Sequence, residues 1–320
     1  MNTRARLTAY ATALALLTGG AFAVGSAVGP PAPATPSAPA AGHEDAAGHD
    51  DGAGHADGAA HEAPAGPELP GGLASSLRGY TLVPADPTLN VGTPTDFSFR
   101  IIGPGGAPVT AFDEEHTKRL HLIVVRRDTT GFQHLHPVMT ADGTWRVPLT
   151  VPTAGSYRAF ADFTPTGAGP LTLGVDLAAA GEQTPVRHQP ARTAQLDDYQ
   201  VQLEGELVPG AASPLTLTVS RAGVPVTDLQ PYLGAYGHLV ALREGDLAYL
   251  HVHPYGAPGD GRTAAGPQIR FLAEVPSAAT YRLFLDFQHA GTVRTAEFTV
   301  PTGAAGELAA GPTDPDGGPR

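Results

Sequence analysis

His121-Leu122-Ile123-Val124-Val125, a polar turn, and then Phe132-Gln133-His134-Leu135-His136-Pro137 make up a stretch that the chain carries twice. The second copy reads His238-Leu239-Val240-Ala241-Leu242, another polar turn, and Tyr249-Leu250-His251-Val252-His253-Pro254. In both copies the second and third histidines follow the first by 13 and 15 residues. Across positions 116–137 and 233–254, six of the 22 aligned residues are identical, and three of those six are histidines. A repeat that loses most of its neighbours and keeps its histidines points to chemistry at those positions.

Each apolar run is short, rich in β-branched or aromatic residues, and bounded by charged or glycine-containing turns, the pattern of an antiparallel hairpin. A turn near 128–129 sets His121 opposite His136 and Ile123 opposite His134. Strand alternation then puts His121, His134 and His136 on one face, with Cβ atoms about 5–8 Å apart. The same construction gathers His238, His251 and His253. The expectation is one histidine triplet per copy, each able to hold a metal ion.

Around the hairpins, 40 glycines and 32 prolines argue against a mainly helical chain. Short strands separated by Gly/Pro turns are expected from Tyr80 to Leu177 and again from Tyr199 to Val300, about seven in each half. That is the count of an immunoglobulin-like β-sandwich. The fold expected is all-β: one sandwich over 73–178, a linker over 179–195, and a second sandwich over 196–301. The duplication continues into the sixth strand, where Val151–Phe163 and Val275–Phe287 share eight of 13 residues. The offset grows there from 117 to 124, so seven extra residues are expected around Pro254–Pro267. Tyr157 and Tyr281 fall where a tyrosine corner returns its hydroxyl to the backbone. Arg158, Phe160 and Asp162 share one face, as do Arg282, Phe284 and Asp286. Asp162 and Asp286 are candidate carboxylate ligands; the alternative is an Arg–Asp ion pair on an exposed sheet face.

The N-terminus has Arg4 and Arg6, an apolar run from Leu7 to Val24, and an Ala21-Phe22-Ala23 cleavage pattern. Residues 1–23 therefore read as a secretory signal peptide, with cleavage near Ala27 as the alternative, and the protein is expected in the periplasm, cell envelope or medium. Cleavage would move the formal charge from −12 to −14, unfavourable for nucleic acid or anionic lipid. Residues 24–72 are dominated by Ala, Pro, Gly, His and acids and are expected to be disordered, as is the tail 302–320. Within the first of these, His43, His49, His55 and His61 recur every six residues beside Asp and Glu, a pattern suited to loose capture of a divalent ion. Its alternative is a low-complexity solubilising linker.

The chain has no cysteine and, after signal removal, only Met139 as methionine, so thiolate sites and blue-copper centres are excluded. Imidazole with carboxylate or water suits Cu(II), Zn(II) or Ni(II), and intrinsic affinity favours Cu(II) over Zn(II). His116 is a candidate fourth nitrogen in the first module, where the second has Leu233; His289 and His188 have no counterparts. Three histidines also match the ligand set of catalytic zinc, which keeps a metalloenzyme in view as a second alternative. The first alternative is a structural or adhesive surface protein whose histidines serve packing.

The motifs Leu120–Val125, Phe132–Pro137, Pro231–Val240 and Tyr249–Pro254 resemble those of a family of secreted or membrane-anchored bacterial proteins with paired Ig-like modules. The resemblance spans about residues 73–301. Related segments occur beside heavy-metal-binding domains and metal-efflux adaptors, so the resemblance implies heavy-metal handling, with copper foremost. It also implies an envelope metal-transport or efflux protein as partner.

Overall fold

The computed structural model describes residues 70–303, which fall within one compact unit. The expected signal segment, the tract with His43, His49, His55 and His61, and the tail from 304 lie outside the described residues.

The described chain is two immunoglobulin-like β-sandwiches in tandem. In the first, one sheet runs in the order Ser76–Leu77, Tyr80–Pro84, Thr95–Ile102, Thr144–Leu149, Val138–Met139. Its partner sheet runs Thr88–Leu89, Leu171–Ala179, Gly155–Pro165, Leu120–Arg126, Gln133–Leu135, with Phe112–Asp113 paired onto Gly155–Pro165. The second module repeats the plan. Thr193–Leu196, Tyr199–Glu204, Ala212–Arg221, Gln268–Glu274 and His253–Pro254 form one sheet, with Val224–Pro225 added to Ala212–Arg221. Tyr249–His251, His238–Arg243, Thr280–His289 and Thr292–Pro301 form the other. The expected strands are present to within three residues, except that Tyr249–His253 splits between two sheets.

Leu120–Arg126 is buried at all seven positions, which a strand with one solvated face cannot be. Leu120, Leu122 and Val124 face their own module, against Phe99, Trp145 and Tyr157. Ile123 and Val125 face the other way, where Phe160 joins them. Val240, Leu242, Leu247, Tyr249 and Phe284 of the second module complete that layer. The two modules therefore meet sheet to sheet along an apolar seam. Its contacts are reciprocal. Phe132 stacks on Phe284 at 4.0 Å, and Tyr249, at the position matching Phe132, lies over Phe160 at 5.6 Å.

The sheet face that carries Arg158, Asp162, Arg282 and Asp286 is covered and all four are buried, so the exposed face expected for an Arg–Asp pair is absent. Arg158 donates to the carbonyls of Gly72, Leu73 and Gly174 and to Asp176. Arg282 donates to Glu297, Phe298 O and Thr299 Oγ1 and, across the seam, to Thr129 Oγ1. The tyrosine corners form as expected, with Tyr157 donating to Thr153 O at 2.7 Å and Tyr281 to Ser277 O at 2.9 Å. Arg126 and Arg243, identical between the repeats, tie each hairpin turn (Asp128, Asp246) to the corner turn at Thr153 or Ser277.

Residues 71–74 strap the seam from outside. Tyr249 N donates to Gly71 O, Gly72 N to Thr172 O, and Gly174 N to Ala74 O, so one segment bonds to both modules. Gly174 is required here because a Cβ would sit 2.0 Å from Gly72 O. Gly174→Ala is expected to displace the strap and lower stability by about 3 kcal/mol, the upper end for overpacking, measured as the shift of a urea unfolding midpoint.

Candidate metal centre at the seam

The hairpin register is as expected at Ile123–His134, and His134 therefore shares the seam face with Ile123 and His121. The ladder stops at Leu135, and His136 follows it with its ring 5.1 Å from that of His121. His121, His134 and His136 thus converge: one ligand atom from each lies within 4.8 Å of the others.

In the second copy the backbone repeats the register of the first, so His238 and His251 share one face, while His253 departs from it. Val252 turns into the core of the second module, and His253 pairs with Leu272 on the opposite sheet and is exposed. His251 is placed opposite Val240 by register; its side chain lies outside what is described. His238 lies against the first module's cluster. Its ring is stacked on His121 at 5.4 Å and lies 4.7 Å from His134. Asp286, opposite His238 on the neighbouring strand, forms with His238 and His134 a second group of ligand atoms within 4.8 Å. The centre is therefore composite, drawing on both modules.

Hydrogen bonds fix which ring nitrogens face inward. His134 Nδ1 is 2.7 Å from Asp286 Oδ2, and a carboxylate oxygen accepts, so Nδ1 carries the hydrogen. His121 Nε2 is 3.0 Å from Glu115 O, so that nitrogen donates as well. The remaining nitrogens, His121 Nδ1 and His134 Nε2, face each other at 2.9 Å. Two lone pairs at that distance repel unless a proton or a cation lies between them. His136 Nε2, buried nearby, has no hydrogen-bond partner among the described residues. An imidazole whose outer nitrogen donates to a carboxylate or backbone carbonyl while its inner nitrogen is open is the arrangement of a metal-ligating histidine. Tetrahedral Zn–N bonds would set such nitrogens about 3.3 Å apart, close to what is seen.

Burial and neighbouring imidazoles lower the His121 pKa to about 4 and that of His136 to about 3, so both present neutral, ligand-ready nitrogens. His116 lies beside the cluster, 5.5 Å from His238 and 6.1 Å from His121 between ring centres. It sits on a turn where His116 and Thr117 both have positive φ, against Leu233 and Gly234 in the second copy. A β-branched residue in that region is uncommon. Asp162 is opposite His121 and receives Thr172 Oγ1 at 2.8 Å and, at 3.5 Å, the Tyr249 hydroxyl. Neither His116 nor Asp162 belongs to the two ligand groups found among the described residues. His188 and His289 are engaged elsewhere, by Asp128 O and by Tyr199 and Asp228. A cleft of about 700 Å³ runs along the seam and reaches the cluster at His121, with His116, Asp162, Tyr249 and His253 on its walls.

Fold and site together define a class: a tandem pair of Ig-like sandwiches joined face to face over a shared histidine–carboxylate cluster. The chain belongs to the family described as a domain of unknown function (DUF8832), which matches residues 75–175 and again 194–304. No curated protein sequence matches the chain. Similar solved structures include alpha-2-macroglobulins. A Salmonella mutant shows 13% identity and a TM-score of 0.25, over 73% of this chain and 16% of that one. The Escherichia coli protein activated by porcine elastase shows 14% and 0.24, over 70% and 20%. The chain thus spans a fifth or less of those proteins. The N-terminal Ig1-2 module of Drosophila receptor protein tyrosine phosphatase DLAR shows 7% identity and a TM-score of 0.19, over 70% of this chain and 99% of that one.

Proposed function

We propose that this protein binds a divalent transition metal outside the cytoplasm, Cu(II) in preference to Zn(II), for buffering, resistance or delivery to an envelope partner. The observation that carries the reading is the pair of inward-facing acceptor nitrogens, His121 Nδ1 and His134 Nε2, 2.9 Å apart with the open Nε2 of His136 beside them. All-nitrogen ligation without sulfur suits Cu(II) or Zn(II), and the order of intrinsic affinities favours copper. The cleft at His121 supplies an entry path. The His/Asp tract, on this reading, gathers metal loosely.

The test is calorimetric titration with Cu(II) and Zn(II) of the full chain carrying alanine at His43, His49, His55 and His61. Saturable tight binding that disappears in His121→Ala and His136→Ala supports the reading. Binding no tighter than that of a surface histidine, with the same substitutions altering stability alone, would leave a structural Ig-like protein with packed histidines.

The metal-free protein should also be acid-sensitive in a defined window. Between the unperturbed histidine value near 6.5 and the lowered His121 value of about 4, the unfolded chain binds a proton that the folded chain does not. Stability is then full above pH 6.5 and falls as pH drops to 4, by roughly 3 kcal/mol from His121. Saturating metal should raise stability at pH 7.5 and keep or steepen that slope, because metal holds protons off the folded histidines while the unfolded chain still binds them, as read by urea melts from pH 7.5 to pH 4.5.

A further inference from the structure

We propose that the cluster holds a second metal ion beside the first, with the imidazole ring of His134 bridging the two. This rests on the proposed function, since it adds an ion to the site described there.

Among the described residues His134 is shared by both ligand groups, His121/His134/His136 and His134/His238/Asp286. Its two ring nitrogens serve different groups. Nε2 faces His121 Nδ1 at 2.9 Å, and Nδ1 faces Asp286 Oδ2 at 2.7 Å. Within each group the ligand atoms lie within 4.8 Å of one another, a spread that one ion can span. The side chains of His134 and Asp286 are 2% and 3% exposed, so water does not satisfy them. Thr295 Oγ1 donates to the other oxygen of Asp286 at 2.6 Å, which orients the carboxylate and leaves Oδ2 toward His134. His238 completes the second group from the adjacent strand.

The chemistry balances without any electron transfer. An ion on Nε2 acidifies the Nδ1–H of the same ring. A second divalent ion takes the place of that proton, which leaves to solvent, and the ring becomes an imidazolate joined to both ions. The imidazolate and the Asp286 carboxylate offset two of the four positive charges brought in. Imidazole and carboxylate donors suit the same Cu(II) or Zn(II) ions as the first position. The first ion is held by the first module alone, whereas the second is held mainly by the second module. Occupancy of the second position therefore fastens the modules across the seam.

The test is a Cu(II) titration of the full chain with alanine at His43, His49, His55 and His61, followed by electron paramagnetic resonance and by counting bound metal. The wild-type seam should show a signal that grows to one copper per chain and then falls by more than half as a second enters, because exchange through an imidazolate pairs the two spins. His238→Gln should hold one copper at full signal. Two coppers with additive signals, or one copper in both proteins, would overturn the bridge and leave the proposed function standing. No tight copper in the wild type, or binding indifferent to His136→Ala, would sink the proposed function itself. The wild-type curve decides the matter even if His238→Gln fails to fold.

Discussion

His134→Ala is expected to abolish tight metal binding at the seam and to cost the metal-free protein about 3 kcal/mol, the upper end for leaving a buried acceptor without its hydrogen-bond partner. Both effects follow from the two partners of one ring. Toward the first module, His134 Nε2 meets His121 Nδ1, and no other described side chain supplies a nitrogen there except His136. Toward the second module, Nδ1 holds Asp286, whose side chain is 3% exposed. Alanine leaves that carboxylate buried, with the Thr295 hydroxyl still bonded to its other oxygen. The cost should thus be non-additive. In His134→Ala with Asp286→Asn, the neutral amide should recover more than half of the lost stability while metal binding stays absent. Urea melts of the two single variants and the double variant measure the coupling. A double variant no more stable than His134→Ala would mean that the buried charge is not what the histidine offsets.

Neither module should remain a well-behaved monomer when produced alone. The second would expose Val240, Leu242, Leu247, Tyr249 and Phe284, each no more than 3% exposed in the whole chain. The first would expose Ile123, Val125 and Phe160, all fully buried. At roughly 1.5–3 kcal/mol for each fully buried large apolar side chain, the seam contributes on the order of 10 kcal/mol gross. An apolar face of this kind on a soluble monomer marks an interaction site or an aggregation liability. Size-exclusion chromatography with light scattering should find dimers or larger species for residues 70–185 and 190–303, against a monomeric intact chain. Within the intact chain, Phe284→Ala should cost about 3–5 kcal/mol, because Phe132 stacks directly on the ring it removes. Monomeric, folded single modules would show that the seam adds little.

Much of this was legible in the residues. Short alternating runs between Gly/Pro turns identified the strands, and the repeated Tyr157 and Tyr281 identified the corner of the sandwich. The first histidine triplet followed from hairpin arithmetic, since Ile123–His134 pairing depends only on local register. In the second copy the register holds at Val240–His251, but His253 departs from it because the chain leaves its sheet at Val252, a tertiary event that hairpin spacing does not encode. A signal for the composite centre was present nevertheless. His121–Val125 and His238–Leu242 are continuous apolar runs rather than alternating ones, the mark of strands covered on both faces. Read that way, the face bearing the histidines has to meet another sheet. Asp286 then becomes a buried partner instead of a surface charge.

The reciprocal packing of Phe132 on Phe284 and of Tyr249 against Phe160 is the geometry by which two identical subunits would bind through one self-complementary face. In such a homodimer every position occurs twice, and no ligand can change without its twin. Fusion into one chain removes that bond between twins. His116 stands where the other half has Leu233, Glu115 where it has Tyr232, and Thr117 where it has Gly234. One rim of the seam carries Glu115 and His116 along the open cleft; at the other, Tyr232 lies 6.5 Å from His136. Covalent linkage thus gives a near-symmetric centre two rims of unlike composition, which a symmetric pair of separate chains could not maintain.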